Sequence, residues 1–203
     1  SIMAWLNWPN RITFTRIILV VPFVICLLYL NDPWSGWRYL ALALFVVMAV
    51  SDALDGFLAR HLGESTPLGR FLDPVGDKLL VTSAVLLLSI EATAVPGFRL
   101  PSWVPVIAIG KDVFTVIGFL AVYATTGQFF IQPRVWGKAC TVIQLLMIGY
   151  GLAAPDMPVW LHRLWPMLWW LASAAAVVAL VDYVRLGNRF TAEYHAAHQN
   201  PKR

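Results

Sequence analysis

The chain contains the stretch Asp52-Ala-Leu-Asp55-Gly-Phe-Leu-Ala-Arg60 and, after eight intervening residues, Gly69-Arg-Phe-Leu-Asp73-Pro-Val-Gly-Asp77-Lys78. Asp52 and Asp55 are three residues apart, and Asp73 and Asp77 are four apart, so each pair shares one face of a helix. Carboxylates without a partner are costly in apolar surroundings, so four of them together need a cation. Hard divalent ions such as Mg²⁺ prefer oxygen ligands. The stretch therefore predicts a metal site built from these four aspartates.

The composition indicates an integral membrane protein. Of the 203 residues, 59% are hydrophobic and 13% are charged, which is about half the charged share of a soluble protein. The mean hydropathy is +0.69. The net charge of +4 comes from basic residues scattered at the ends of apolar segments, so we expect no nucleic-acid partner. Cys26 and Cys140 fall inside apolar segments, and we interpret them as core thiols.

The apolar segments predict an all-α membrane protein, with the whole chain 1–203 as a single domain. A helix needs about 20 residues to cross a bilayer. On that basis we predict a short amino-terminal interfacial helix ending near Asn10, which caps the first span. Glycine and proline predict a loop at 60–72, and the polar tail after 185 is expected to be frayed and only partly helical. The six predicted transmembrane helices are at about 13–30, 38–59, 73–92, 102–124, 136–154 and 164–185.

The basic residues predict the orientation of these spans. Ten lie on the side of the aspartates, and only Arg38, Arg99 and Arg163 are assigned to the other side. The positive-inside rule then places the aspartates and both termini on the cytoplasmic side of a bacterial inner (plasma) membrane. The ten residues are Arg11, Arg16, Arg60, Arg70, Arg134, Lys138, Arg185, Arg189, Lys202 and Arg203.

Further polar residues lie within the predicted spans. Lys111 and Asp112 fall in the middle of the fourth span, where charged side chains face a cavity or a partner. Adjacent helical residues point about 100° apart, so we do not expect these two simply to face each other. Lys138, Thr141 and Gln144 repeat every three residues and predict a polar strip on the fifth span. Lys78 either pairs with a carboxylate or reaches a phosphate, and the sequence leaves both possibilities open.

The predicted site suggests a reaction class. Bound divalent ions neutralise a diphosphate and stabilise the attacking and leaving oxygens of a phosphoryl displacement. A nearby free carboxylate takes the proton from an attacking hydroxyl. Because the aspartates lie among apolar helices, the substrate is expected to be partly lipid. The residues alone thus predict metal-assisted phosphoryl transfer on a lipid.

The same residues resemble the signature of the CDP-alcohol phosphotransferase family, D-x-x-D-G-x-x-A-R, eight residues, then G-x-x-x-D-x-x-x-D, and match every fixed position. The resemblance implies displacement of CMP from a CDP-linked donor by an alcohol hydroxyl. It also implies two Mg²⁺ or Mn²⁺ ions, membrane lipids as surroundings, and a homodimer. Asp52, Asp55, Asp73 and Asp77 are the implied metal ligands, and Asp77 is the implied base. The implied residues of the CDP-lipid site are Asp52, Gly56, Ala59, Arg60, Gly69, Asn10 and Thr13, and those of the acceptor phosphate site are Lys138, Arg134 and Lys111.

Within the family, the chain is most similar to the phosphatidylglycerophosphate synthase branch, which transfers the phosphatidyl group of CDP-diacylglycerol to glycerol 3-phosphate. The likeness rests on the Asn-Arg-x-Thr run at Asn10 and on Gly137-Lys138. Lys111-Asp112 replaces the usual Arg-Glu and resembles instead the cardiolipin synthase branch, whose acceptor is phosphatidylglycerol. An intramembrane cation transporter is a rival of another class, but it gives no reason for Gly56 or Arg60 at their spacing.

Overall fold

The computed structural model describes residues 8–32, 36–62, 67–126 and 135–199, with side chains at 15, 17–32, 36–51, 76, 78–126 and 135–192. Over these ranges the chain is helical apart from turns, and they contain no strand, which confirms the predicted all-α class. Two short 3-10 helices, Ala154–Asp156 and Val159–Arg163, lie between the last two α-helices. The six helices are α1 Trp8–Leu28, α2 Gly36–Leu62, α3 Pro67–Leu87, α4 Trp103–Thr126, α5 Val135–Ala153 and α6 Leu164–Gln199.

Three segments in the described ranges are long and apolar enough to cross a membrane: Trp103–Thr126, Val135–Asp156 and Val159–Ala192. Shorter apolar segments lie in α1, α2 and α3. Each predicted span therefore corresponds to a helix, and the lengths of three of them fit a membrane crossing. The outer face of α4 carries exposed Val106, Phe114 and Ile117, as expected for a helix that faces lipid.

The predicted loop at 60–72 is wrong. Helix α2 continues to Leu62 and α3 already begins at Pro67. Proline is favoured at the first helical position, because its missing N–H has no partner there in any case. The glycine at 69 then falls in the first turn and does not break the helix. At its other end α3 stops at Leu87, five residues before the predicted end.

The helix at each end of the chain is also longer than predicted. Helix α1 begins at Trp8, so Asn10 lies in its first turn and does not cap it. The rest of the predicted interfacial helix, 1–7, lies outside the described residues. Helix α6 continues to Gln199, so most of the tail that was expected to be frayed belongs to this helix.

The core forms where the helices pack pairwise. Helix α1 packs on α2 and α3, α6 packs on α4 and α5, and α5 also contacts α2. Phe23, Leu27, Met48 and Met147 are fully buried where these groups meet. Helices α1 and α2, α3 and α4, and α5 and α6 each pack together across the connection that joins them, so the two helices of each pair run in opposite directions.

The end of α3 is capped by side chains. Ser89 Oγ donates to the carbonyl oxygen of Leu86 at 2.7 Å, and Thr93 Oγ1 donates to that of Leu87 at 2.6 Å. These bonds satisfy carbonyls that have no partner within the helix. The amide of Leu100 returns to the carbonyl of Leu88 at 2.9 Å, and both leucines are fully buried. The connection from α3 to α4 is therefore an ordered part of the core.

An ion pair joins α2 to the end of α5. Arg38 donates through both terminal nitrogens to Asp156, at 2.8 and 2.9 Å, and also to the carbonyl oxygen of Leu152 at 2.9 Å. Tyr39 Oη donates to the same carboxylate at 3.0 Å. A two-pronged arginine–carboxylate pair is stronger and more directional than a single contact. We call the end of the bundle that contains this pair the Arg38 end.

Replacing Asp156 by asparagine should lower the melting temperature of the detergent-solubilised protein, because Arg38 and Tyr39 then lose their charged acceptor. The matched control is Glu91→Gln, which removes a carboxylate that is 89% exposed and lies 3.3 Å from Arg99. Exposed pairs contribute little, so this variant should melt close to wild type. Equal melting temperatures for the two variants would contradict the proposed importance of the Arg38 pair.

Gly151 on α5 should not tolerate a side chain. A Cβ atom there would lie 2.7 Å from Cη2 of Trp165, and that indole is held by Tyr150, Trp169 and Phe98. Gly151→Ala should therefore destabilise the protein by about 1–3 kcal/mol, measured as a fall in melting temperature. Gly110→Ala is the control, because a Cβ atom at Gly110 meets nothing within 4 Å. A Gly151→Ala protein as stable as the control would show that the indole can move aside.

Candidate functional site

The two halves of the aspartate stretch lie on consecutive helices, near the connection between them. Asp52 lies ten residues before the end of α2, and Asp77 lies ten residues after the start of α3. At 1.5 Å per residue, both backbones are about 15 Å from their helix ends. Asp55 and Asp73 are seven and six residues from the same two ends. We call the end of the bundle opposite the Arg38 end the motif end. Counted along the helices from that end, the backbone of Asp52 matches Asp77 in depth, and that of Asp55 matches Asp73.

Several predicted site residues are located by backbone only. The side chains of the four aspartates lie outside the described ones, and Arg134 lies outside the described residues altogether. Asn10 and Thr13 lie in the first turns of α1. Gly56, Ala59 and Arg60 lie in the last turns of α2, and Gly69 lies in the first turn of α3.

A polar cavity of about 50 Å³ lies between α3, α4 and α5. Lys78 on α3, Lys111 and Asp112 on α4, and Thr141 and Gln144 on α5 line it together with Val81. Polar side chains in an apolar bundle turn towards one another because lipid offers them no partner. Polar residues from three separate spans therefore line one cavity.

Asp112 is the centre of this cluster. Its Oδ1 atom lies 2.9 Å from Nζ of Lys78 and 2.7 Å from Nζ of Lys111. Of the two possibilities left open for Lys78, the structure shows pairing with a carboxylate. The expectation that Lys111 and Asp112 would not face each other is wrong, because the long lysine side chain folds back to its neighbour. The three side chains carry a net charge of +1.

The predicted strip on α5 is divided in the structure. Gln144 is buried and Thr141 is half-buried, and both line the cavity, while Lys138 is exposed one turn closer to the motif end. Thr141 Oγ1 donates to the carbonyl oxygen of Gly137 at 3.2 Å. Gln144 also lines a second, narrow gap, where Ser173 of α6 is buried. The strip therefore leads from the exposed surface at the motif end into the polar cavity.

The chemistry of the residues fits a divalent metal ion. Among the side chains that the structure describes, no three His, Cys, Asp or Glu residues come together, and the four aspartates are not among those side chains. The four aspartates lie on the consecutive helices α2 and α3, and carboxylate oxygens are ligands that Mg²⁺ and Mn²⁺ prefer. The cationic cluster at Asp112 lies on α3 and α4 and can attract an anion. The arrangement suits a substrate that carries phosphate groups.

The chain belongs to the CDP-alcohol phosphatidyltransferase family, whose model matches residues 6–181. The match covers all four aspartates and helices α2 to α5, and it confirms the family predicted from the signature. Family members act on CDP-linked alcohols, which agrees with the phosphoryl-transfer chemistry inferred from the residues.

Bacterial relatives cover most of the chain. A CDP-diacylglycerol--glycerol-3-phosphate 3-phosphatidyltransferase of Pseudomonas fluorescens is 50% identical over an alignment of 187 residues that covers 89% of each chain. The enzyme of the same name from Bacillus subtilis is 34% identical over 70% of this chain and 75% of its own. That of Escherichia coli K12 is 31% identical over 88% of this chain and 93% of its own.

Proposed function

We propose that this protein transfers the phosphatidyl group of CDP-diacylglycerol to a hydroxyl of glycerol 3-phosphate, forming phosphatidylglycerophosphate and releasing CMP. The observation that carries the proposal is the complete family signature, with its two halves at matching depths on α2 and α3. Relatives named for this reaction cover about nine-tenths of the chain and support glycerol 3-phosphate as the acceptor.

Asp52, Asp55, Asp73 and Asp77 would hold two Mg²⁺ or Mn²⁺ ions. When bound, such ions neutralise the diphosphate and stabilise the leaving phosphate. Arg60 suits a phosphate oxygen, because a guanidinium group offers paired N–H donors. Small residues at Gly56, Ala59 and Gly69 allow the nucleotide to approach the backbone closely. Asn10 and Thr13 would complete the CDP-lipid site from α1.

In the proposed reaction, the acceptor hydroxyl oxygen bonds to the phosphorus that carries the diacylglycerol. The bond from that phosphorus to the bridging oxygen breaks, and CMP leaves with the electron pair. Asp77 accepts the hydroxyl proton as the general base. Asp77 directly precedes Lys78 on α3, and the ammonium group of Lys78 pairs with Asp112.

Lys138, Arg134 and Lys111 would bind the phosphate of the acceptor. Lys138 is exposed near the start of α5, and Lys111 lies deeper, beside Asp112. A phosphorylated acceptor could enter at Lys138 and reach towards the cluster. Phosphatidylglycerol also carries a phosphate, so an assay must compare both acceptors.

The proposed setting is a bacterial inner membrane, with the motif end and both termini on the cytoplasmic side. This orientation rests on the excess of basic residues at the motif end. All 203 residues would form one membrane domain of six spans, and two copies would form a homodimer. Glycerol 3-phosphate is water-soluble, so a cytoplasmic opening lets it reach the site.

The test of the function incubates purified protein with CDP-diacylglycerol, Mg²⁺ and either glycerol 3-phosphate or phosphatidylglycerol. CMP and phosphatidylglycerophosphate should form with the first acceptor, and excess chelator should stop the reaction. Asp77→Asn should lower kcat by about 10²–10⁴-fold, the range of a lost general base. Asp156→Asn, the same substitution at the Arg38 end, should leave kcat unchanged. Product formation from phosphatidylglycerol alone would refute glycerol 3-phosphate as the acceptor. An active Asp77→Asn protein would refute Asp77 as the general base.

Lys138→Ala should raise KM for glycerol 3-phosphate about tenfold, because a charge-assisted hydrogen bond to phosphate is lost. The KM for CDP-diacylglycerol should stay within a factor of two. The control is Arg163→Ala, which removes an exposed basic residue at the Arg38 end and should change neither constant. Equal increases in both KM values would show that Lys138 does not distinguish the acceptor.

A further inference from the structure

One carboxylate oxygen joins α3 to α4. Asp112 Oδ1 on α4 lies within 2.9 Å of Lys78 Nζ on α3, and the same oxygen also meets Lys111. One face of α3 is packed in the core through Leu80, Ala84 and Val85, and the ion pair adds a hydrogen-bonded contact of fixed distance and direction to α4. The pair therefore constrains the rotation and depth of α3.

The surroundings of this pair make its loss expensive. On one side lies the polar cavity, and on the other lies an apolar groove of about 290 Å³, lined by Ile109, Val113, Val116 and Ile117. Lys78 and Asp112 line both spaces, so the ion pair stands between them. The side chain of Asp112 is 23% exposed and that of Lys78 is 44% exposed, and in an apolar bundle a charge left there without its partner would pull its helix towards another partner.

The constraint acts next to the reacting residues. Lys78 directly follows Asp77, the proposed base, and Asp73 lies one turn earlier on the same helix. A helix is stiff over one turn, so a displacement of Lys78 is also a displacement of these carboxylates. Misplacement of a catalytic group by 1 Å can cost about 100-fold in rate.

We propose that Asp112 is a positioning residue: through Lys78 it holds α3 at the rotation and depth at which Asp73 and Asp77 work. Asp112 itself does not touch the reacting atoms. The expected effect on kcat rests on the proposed function. The placement of α3 can be measured without any reaction.

The kinetic test compares Asp112→Asn, Asp112→Glu, Lys78→Met and the double variant Lys78→Met/Asp112→Asn. Asp112→Asn and Lys78→Met should each lower kcat about 10- to 100-fold. The double variant should be no more than about threefold worse than the worse single variant, because both break the same pair. Asp112→Glu keeps a carboxylate and should recover most of the loss.

Asp156→Asn is the matched control, since it breaks an ion pair at the Arg38 end. It should lower the melting temperature without changing kcat. If Asp112→Asn behaved in the same way, its role would be structural and the proposal would fall. Wild-type kcat for Lys78→Met, or multiplicative losses in the double variant, would also overturn it. A variant that does not fold is replaced by the other single variant, which tests the same pair.

The placement test uses spin labels at Leu79→Cys on α3 and Leu120→Cys on α4, both exposed positions. Cys26 and Cys140 are buried and are replaced by alanine. In Asp112→Asn, the distance between the labels should shift by about 1–2 Å or become more widely distributed, as in known helix shifts. An unchanged distance would refute the proposal. If the wild-type protein releases no CMP, the proposed function fails, while this measurement still decides whether Asp112 holds α3.

Discussion

Charged side chains in an apolar helical bundle need partners, and this constraint shapes both ends of the molecule. At the Arg38 end, Arg38 and Asp156 satisfy each other across α2 and α5. Deeper in the bundle, Asp112 pairs with two lysines from α3 and α4. In each cluster one basic side chain is largely buried, Arg38 at 14% and Lys111 at 13% exposure, and its charge needs a partner there. In the proposed function, bound divalent ions would supply the counter-charge of the four aspartates of the family signature.

The two ends of the bundle have different roles. The connections at the Arg38 end are tied down by backbone and side-chain hydrogen bonds, such as those of Ser89 and Thr93 with the end of α3. Asn31 adds bonds from the end of α1 to the carbonyl oxygens of Glu91 and Ala92, at 3.1 and 2.8 Å. These contacts hold the helices in place at one end. The helices can then present reactive groups at the other end, where a lipid-linked diphosphate must enter and leave.

The cluster at Asp112 connects the packing with the proposed chemistry. The proposed transfer reaction is sensitive to small errors in the positions of its carboxylates. Apolar packing buries one face of α3 in the core. The ion pair between Lys78 and Asp112 adds a directional contact to α4 one residue from Asp77.

The sequence by itself determined the helical class, the six apolar segments and the family, because hydropathy and the spacing of Asp52, Asp55, Asp73 and Asp77 are local properties. The sequence placed the start of α3 too late in the chain. Glycine and proline near 67–69 resemble a loop signal, but proline at the first helical position favours a helix. Only the tertiary structure decided the partner of Lys78. Lys78 and Asp112 are 34 residues apart in the chain and on different helices, and no local pattern encodes which helices pack together. That choice depends on the packing of the whole bundle.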